Sequence, residues 1–283
     1  MTEEQATKKK RKEKTPKQEM SFLEHLEELR WHVIRAFLAI VVFSVIAFLN
    51  KSFIFDKVIL HPKMPDFWTN RMFARLADLT GIDALRINDH EFQLISISMS
   101  GQFMTHIWTS LVAGLIVASP FVIFEFWRFV KPALYEKEQR YSVGAVFYMS
   151  FLFVLGVLFG YYLIVPLSVH FLGSYSISAT VENQINILSY ISTVTTVTLA
   201  GGIVFELPVF VFFLSKVGIL SPELMKKYRR HAYVALLIIS AIITPPDVFS
   251  QIMVCLPLVL LYEIGIVISK RVKKKAEKEL DEI

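Results

Sequence analysis

Six apolar runs dominate this chain: 33–50, 103–125, 142–165, 188–213, 231–244 and 252–268. A bilayer core of about 30 Å is crossed by about 20 helical residues, and a helix satisfies its own backbone polar groups in hydrocarbon. The first four runs have that length. The fifth would rise only about 20 Å and the sixth about 25 Å. Composition agrees, since 54% of the 283 residues are hydrophobic, against roughly 45–50% apolar residues in soluble domains. The last two runs are joined by TPPDVFSQ (244–251), whose paired prolines end a helix, so a sharp turn is expected at Pro245 and Pro246. Two short helices joined this way fit a normal bilayer poorly, which predicts a recessed hairpin or a thinned membrane. The expected fold is an all-α integral membrane protein of six transmembrane helices, the last two short.

Arginine and lysine set the orientation, because they stay on the cytoplasmic side of short loops. With both termini cytoplasmic, the inner segments are 1–32, 126–141, 214–230 and 269–283, all rich in these residues. Segments 166–187 and 245–251 have none, and the first extracytoplasmic loop, about 51–102, carries as many acids as bases. Residues 1–20 read as a basic, disordered cytoplasmic tail, 21–268 as a single six-helix membrane domain, and 269–283 as a charged cytoplasmic tail. The basic tail adjoins a hydrophobic span, so its expected partner is anionic membrane lipid and not nucleic acid. The amphipathic SFLEHLEELRWHVIRAF and the long apolar run after it argue against a cleavable signal.

GGIVFELPVFVFFL (201–214) holds one acid, Glu206, with no lysine or arginine for nine residues on either side. Ser192, Thr195, Thr198, Gly202 and Glu206 recur at three- and four-residue steps, which puts a small, polar stripe on one helix face. A charged carboxylate at mid-bilayer costs on the order of 3 kcal/mol on insertion scales. Glu206 is therefore expected to rest neutral, or hydrogen-bonded to something that enters the bundle. The plainer alternative ties it to serines or threonines of its own bundle. Gly156-x-x-x-Gly160 predicts a close helix–helix approach. Pro120, Pro208 and Pro257 are expected to kink their helices, and Pro166 to mark the outer end of the third span.

Ser21-x-x-Glu24 reads as a capping box that starts a helix at residue 22. That helix is expected to lie along the membrane surface, with Glu24 and Glu28 on one face, before turning into the first span. Glu136 and Glu138 form a second acidic cluster in the first inner loop. Carboxylates on both segments could clamp a guanidinium bidentately, although either cluster alone is more often a solvated helix face. No Gly-rich phosphate loop, HExxH or paired-cysteine spacing is present, the histidines share no ligand spacing, and the lone Cys255 can form no intrachain disulfide. No catalytic residue, metal or cofactor is expected, and the chain is not read as an enzyme.

Four signatures in order, HLEELR (25–30), SPFVIFEFWRFVKPALYEKE (119–138), FELPVF (205–210) and TPPDVFSQ, followed by LYEIG (261–265), make the chain resemble the TatC family of the twin-arginine protein translocase. The resemblance spans about Ser21 to Ser269. It implies a cupped, concave bundle in the cytoplasmic (inner) membrane of a bacterium, acting as the signal-peptide receptor and core subunit of a translocase that exports folded proteins on the proton-motive force. It further implies that Glu28 and Glu138 receive the paired arginines, with Arg30, Phe129 and Tyr135 nearby. By the same resemblance Glu206 lies in the concave face, Asp247 and Gln251 serve the tight outer turn, and the single-span subunits TatA and TatB dock along the short hairpin. Self-association in the receptor complex is implied as well. The chain departs from the family pattern at His32, where a second basic residue is usual, and at Gln139. Its first outer loop is also longer, and RMFARLADLTGIDALRIN (71–88) reads as an inserted helix.

Two other classes compete. A proton- or ion-coupled secondary transporter would use Glu206, but it would need polar groups facing that acid, and spans one, three and five offer little beyond Ser44, Ser150 and Ser240. A membrane scaffold would gather other subunits without binding a signal peptide.

Overall fold

The computed structural model describes residues 22–89, 93–130, 142–178, 180, 183–244 and 248–281. Tyr135, Glu136, Glu138, Asp247, the paired prolines and the basic tail lie outside the described residues.

Helix α1 (Phe22–Leu49) is a single unbroken helix of 28 residues. No glycine or proline lies within it, so nothing interrupts its hydrogen-bond ladder. The turn expected between a surface helix and the first span is therefore absent, and the two are one helix. A π-helical turn (Phe53–Ile59) and a 3-10 turn (His61–Lys63) lead to α2 (Trp68–Thr80), closed by Gly81 at φ 70°. This is the inserted helix, but it begins three residues before the segment 71–88 that suggested it and ends at Thr80, so the second half of that segment lies outside it.

Helix α3 (Gly101–Val130) packs along α1. A Cβ on Gly114 would collide with Ser44, and the His106 Nε2–H donates to the Phe48 carbonyl at 3.0 Å. Helices α4 (Ser142–Phe159) and α5 (Val165–Ser174) run end to end through a π-helical turn, Gly160–Ile164. Pro166 does not end the third span. It sits in the first turn of α5, where a missing N–H goes unnoticed, and the helix continues to Ser174. Helix α4 meets α6 (Ile187–Phe205) at backbone distance: a Cβ on Gly201 would lie 2.6 Å from the Gly156 carbonyl oxygen, and one on Gly160 2.8 Å from that of Val197.

The remaining helices are α7 (Leu207–Lys216), α8 (Pro222–Lys227), α9 (Arg229–Ile243) and α10 (Val248–Asp281). Strands β1 (Leu94–Ile95) and β2 (Ile185–Asn186) pair in parallel and tie the α2–α3 and α5–α6 connections together. Five helical stretches have the length and apolarity to cross a membrane: Leu26–Leu49, Gly101–Val130, Gly144–Ser174, Ile187–Lys216 and Ser250–Lys275. The fifth apolar run lies in α9, which has 15 residues, or about 22 Å. The run 252–268 is short as expected, but its helix is not. Lysine, glutamate and alanine carry α10 on to Asp281 without a breaker, so the described part of the charged tail is helical. Ile164, Val165, Ile191, Val194 and Leu258 form the core where α5, α6 and α10 meet. Phe37, Phe147, Phe210, Leu256 and many other large apolar side chains face outward, the inverse of a water-soluble surface.

Candidate functional site

Helices α1 and α3 carry their charges at the same end of the bundle. Glu125, the last polar residue of an otherwise apolar stretch, is only 3% exposed. Its Oε2 lies 2.5 Å from His32 Nδ1 and 3.0 Å from Arg35 Nε. A carboxylate can only accept, so with Glu125 ionised the His32 Nδ1 carries the bridging proton. Arg35 Nη2 lies 3.0 Å from the same nitrogen, which places the guanidinium and the imidazole on one carboxylate oxygen. On the other side of the ring, His32 Nε2 lies 4.0 Å from Glu28 Oε1, and Phe129 meets the imidazole edge-on at 6.2 Å between centroids.

The helical period builds this cluster. Glu28, His32 and Arg35 follow one another at steps of four and three on α1, and Glu125 and Phe129 are one turn apart on α3. Two carboxylates, Glu28 and Glu125, thus face one guanidinium and one imidazole. Glu28 is the member without a firm partner. Its Oε2 is buried and has no hydrogen bond among the described residues. Arg30 stands apart from the group, with its guanidinium 3.4 Å from Glu27 and 5.6 Å from the centroid of the Trp31 ring.

Glu206 marks a second place. The fourth span is two helices, α6 and α7, and Glu206 is the residue between them. Pro208 has no N–H to continue the ladder. The Glu206 N–H turns back to Ile203 O at 3.1 Å, while its own carbonyl accepts from Val209 and Phe210 at 3.0 Å each. Both carboxyl oxygens of Glu206 are buried and have no hydrogen-bond partner among the described residues. The serine–threonine tether is thus missing. Thr195 instead accepts from Trp108 Nε1 at 3.1 Å, and Gly202 packs against Phe153 and Val157. Much of the stripe is spent on packing, and Thr198 Oγ1 and the two Glu206 oxygens are left without a hydrogen bond among the described residues.

Residues 24–257 match the family model described as Sec-independent protein translocase protein (TatC). The chain belongs to the TatC family. It is 39% identical over 264 residues to the TatC of a Blattabacterium from Periplaneta americana, covering 93% of this chain and 99% of the relative. Against the Aquifex aeolicus TatC it is 34% identical, covering 92% and 100%. A solved twin-arginine translocase receptor TatC superposes with a TM-score of 0.66 at 33% identity, covering 88% of this chain and 100% of that one. A second, in the detergent DDM, superposes at 0.70 and 32%, covering 87% and 99%. The protein is accordingly an all-α, multi-pass protein of the bacterial cytoplasmic membrane.

Of the residues singled out from the TatC resemblance, the structure brings Glu28 and Phe129 together through His32 and keeps Arg30 out. Gln251 spans the short hairpin, donating Nε2–H to Leu237 O at 3.2 Å. The other end of that hairpin is clamped by Glu263 of the LYEIG motif, which accepts both from Arg229, a bidentate pair, and from Tyr233 Oη at 2.6 Å. Sequence reasoning passed over Glu125, Arg35 and Glu263. A usable signal existed for the first two: an acid closing the second apolar run and a base opening the first, at the same membrane level.

Proposed function

We propose that this chain is the twin-arginine signal-peptide receptor and core subunit of a translocase for folded proteins, driven by the proton-motive force. In this reading it binds and positions and makes or breaks no bond. The observation that carries the proposal is the pair of carboxylates, Glu28 and Glu125, gathered around the single guanidinium of Arg35, together with the unpartnered, buried Oε2 of Glu28. Such an oxygen wants a donor, and a guanidinium supplies several in a fixed fork. Phe129 beside it offers an apolar and aromatic surface for the rest of the peptide. Glu138 and Tyr135 are proposed to complete the site from the inner loop, with Arg30 at its rim.

The six apolar segments are proposed to cross the membrane with both termini cytoplasmic, in keeping with the basic residues of the inner segments. Glu206 is proposed as the polar anchor, within the concave face, for a partner helix or signal peptide. Its two unpartnered oxygens support this, as a carboxyl placed there without a partner would only cost stability. TatA and TatB are proposed to dock along the short hairpin, Asp247 and Gln251 to serve its outer turn, and further copies of this chain to join the receptor complex. A transporter would aim polar groups from other spans at Glu206. Ser44 instead packs into Gly114, and Ser240 Oγ donates to Leu237 O at 2.9 Å.

The test is equilibrium binding of a twin-arginine peptide to the purified full chain. Binding that survives exchange of both arginines for lysine without loss of affinity would remove the proposal.

A further inference from the structure

Helix α2 carries an outward face that none of the family signatures uses. Its inner face is well held. Thr69 Oγ1 donates to the Tyr162 carbonyl at the π-helical turn, Asn70 Nδ2 donates to Pro62 O at 3.0 Å and to Met64 O at 2.7 Å, and Ala77 is buried. The opposite face follows helical spacing along Trp68, Arg71, Met72, Arg75, Leu76 and Leu79. Trp68 is 63% exposed and Leu79 83%, so large apolar groups point away from the bundle. Arg71 and Arg75 stand one turn apart on the same face, exposed, and no carboxylate among the described residues pairs with either. Asp78, the one acid of the helix, is taken by Arg86 at 2.5 Å. Between these side chains runs a groove of about 290 Å³ lined by Trp68, Arg71, Met72, Arg75 and Leu76.

The depth of this face can be reckoned along α4. Tyr162 lies about 27 Å from Gly144, the first residue of that span, at 1.5 Å per residue. A hydrocarbon core about 30 Å thick that begins at Gly144 would end close to Tyr162. Phe67 stacks on Tyr162 at 5.4 Å and Trp68 meets it edge-on at 6.2 Å, in the manner of an interfacial aromatic belt. Arg71 and Arg75 fall within about two helical turns of that level, where phosphates lie.

We propose that this face of α2 is a seat for an anionic phospholipid. The two guanidinium groups hold the phosphodiester, and Trp68, Met72 and Leu76 take the first stretch of an acyl chain. A water-soluble anion would have no use for the exposed tryptophan and leucines. A zwitterionic lipid would leave two cations facing its own ammonium, since Asp78, the acid beside them on the helix, is already paired with Arg86. The inference stands apart from the receptor function and from the orientation of the chain, because anionic lipid can occupy either leaflet.

The experiment uses the full chain in bilayers of phosphatidylcholine carrying spin-labelled phosphatidylglycerol or spin-labelled phosphatidylcholine, and reads the motionally restricted lipid. The double variant Arg71→Gln/Arg75→Gln touches no described partner and should fold as wild type. It should lower the relative association of phosphatidylglycerol by about threefold or more and leave phosphatidylcholine unchanged. Trp68→Ala should lower it in the same direction. Phosphatidylglycerol association unchanged in the double variant would overturn the proposal. So would an equal loss of both lipids, or full displacement by millimolar glycerol phosphate, which would mark a site for a soluble anion.

Discussion

His32 Nδ1 lies 2.5 Å from Oε2 of Glu125, a contact between two side chains 93 residues apart that joins α1 to α3 inside the bundle. Arg35 closes on the same oxygen, so three ionisable groups share one buried point, and Glu28 stands next to them with an oxygen to spare. Removing one partner of a buried pair leaves the others uncompensated. Glu125→Ala should therefore destabilise the protein by on the order of 3 kcal/mol, read as thermal unfolding in detergent. Glu125→Gln, which keeps a neutral acceptor, should lose less.

Glu28→Ala should weaken twin-arginine peptide binding by roughly 1.5–3 kcal/mol, the worth of a hydrogen bond to a charged group. Its neighbour Glu27 has a side chain 67% exposed and pairs with an equally open Arg30. Glu27→Ala should change binding by less than about 1 kcal/mol. Titration calorimetry of the two variants separates them.

Glu206→Leu should make the isolated subunit more stable, by about 1–3 kcal/mol, because it removes a buried polar group with no described partner. The same variant should lose copurification of partner single-span subunits. A fall in stability would instead mean that the carboxyl holds the bundle together.

Gly156→Val should cost about 1–3 kcal/mol of overpacking and push α4 from α6, since a Cβ there would run into the Gly201 carbonyl. Gly144, on the same helix, has nothing within 4 Å of a Cβ. Gly144→Ala should be neutral or slightly stabilising. Unfolding temperatures of the two variants make the comparison.

The order of the apolar helices was legible in the sequence because hydrocarbon imposes length and composition on whatever crosses it, and five helical stretches meet that demand. The inserted α2 was legible from the extra length of the first outer loop against the family pattern, and the polar isolation of Glu206 from the absence of any charge near it. Other features turn on contacts between distant segments or on small backbone adjustments. His32 reads as a departure from a pattern until Glu125 is brought beside it. Pro166 reads as a terminus because the π-helical turn before it, which lets the helix continue, leaves no mark in residue type. The break at Glu206 was hinted at by Pro208, yet Pro120 and Pro257 sit within continuous helices, so proline alone does not tell the two cases apart. Arg30 was placed beside Glu28 by the resemblance to the family, whereas two residues along a helix turn a side chain by about 200°, and Arg30 reaches Glu27 instead.

The account rests on an acceptor for paired arginines at the end of the bundle where Glu28 and Phe129 meet. Site-specific photo-crosslinking from positions 28 and 129, with Leu79 and Ser174 at the other end as controls, tests it most directly. A twin-arginine peptide should crosslink to 28 and 129 and not to 79 or 174, and a twin-lysine peptide should crosslink weakly to all four. Equal labelling by both peptides, or labelling confined to 79 and 174, would contradict it.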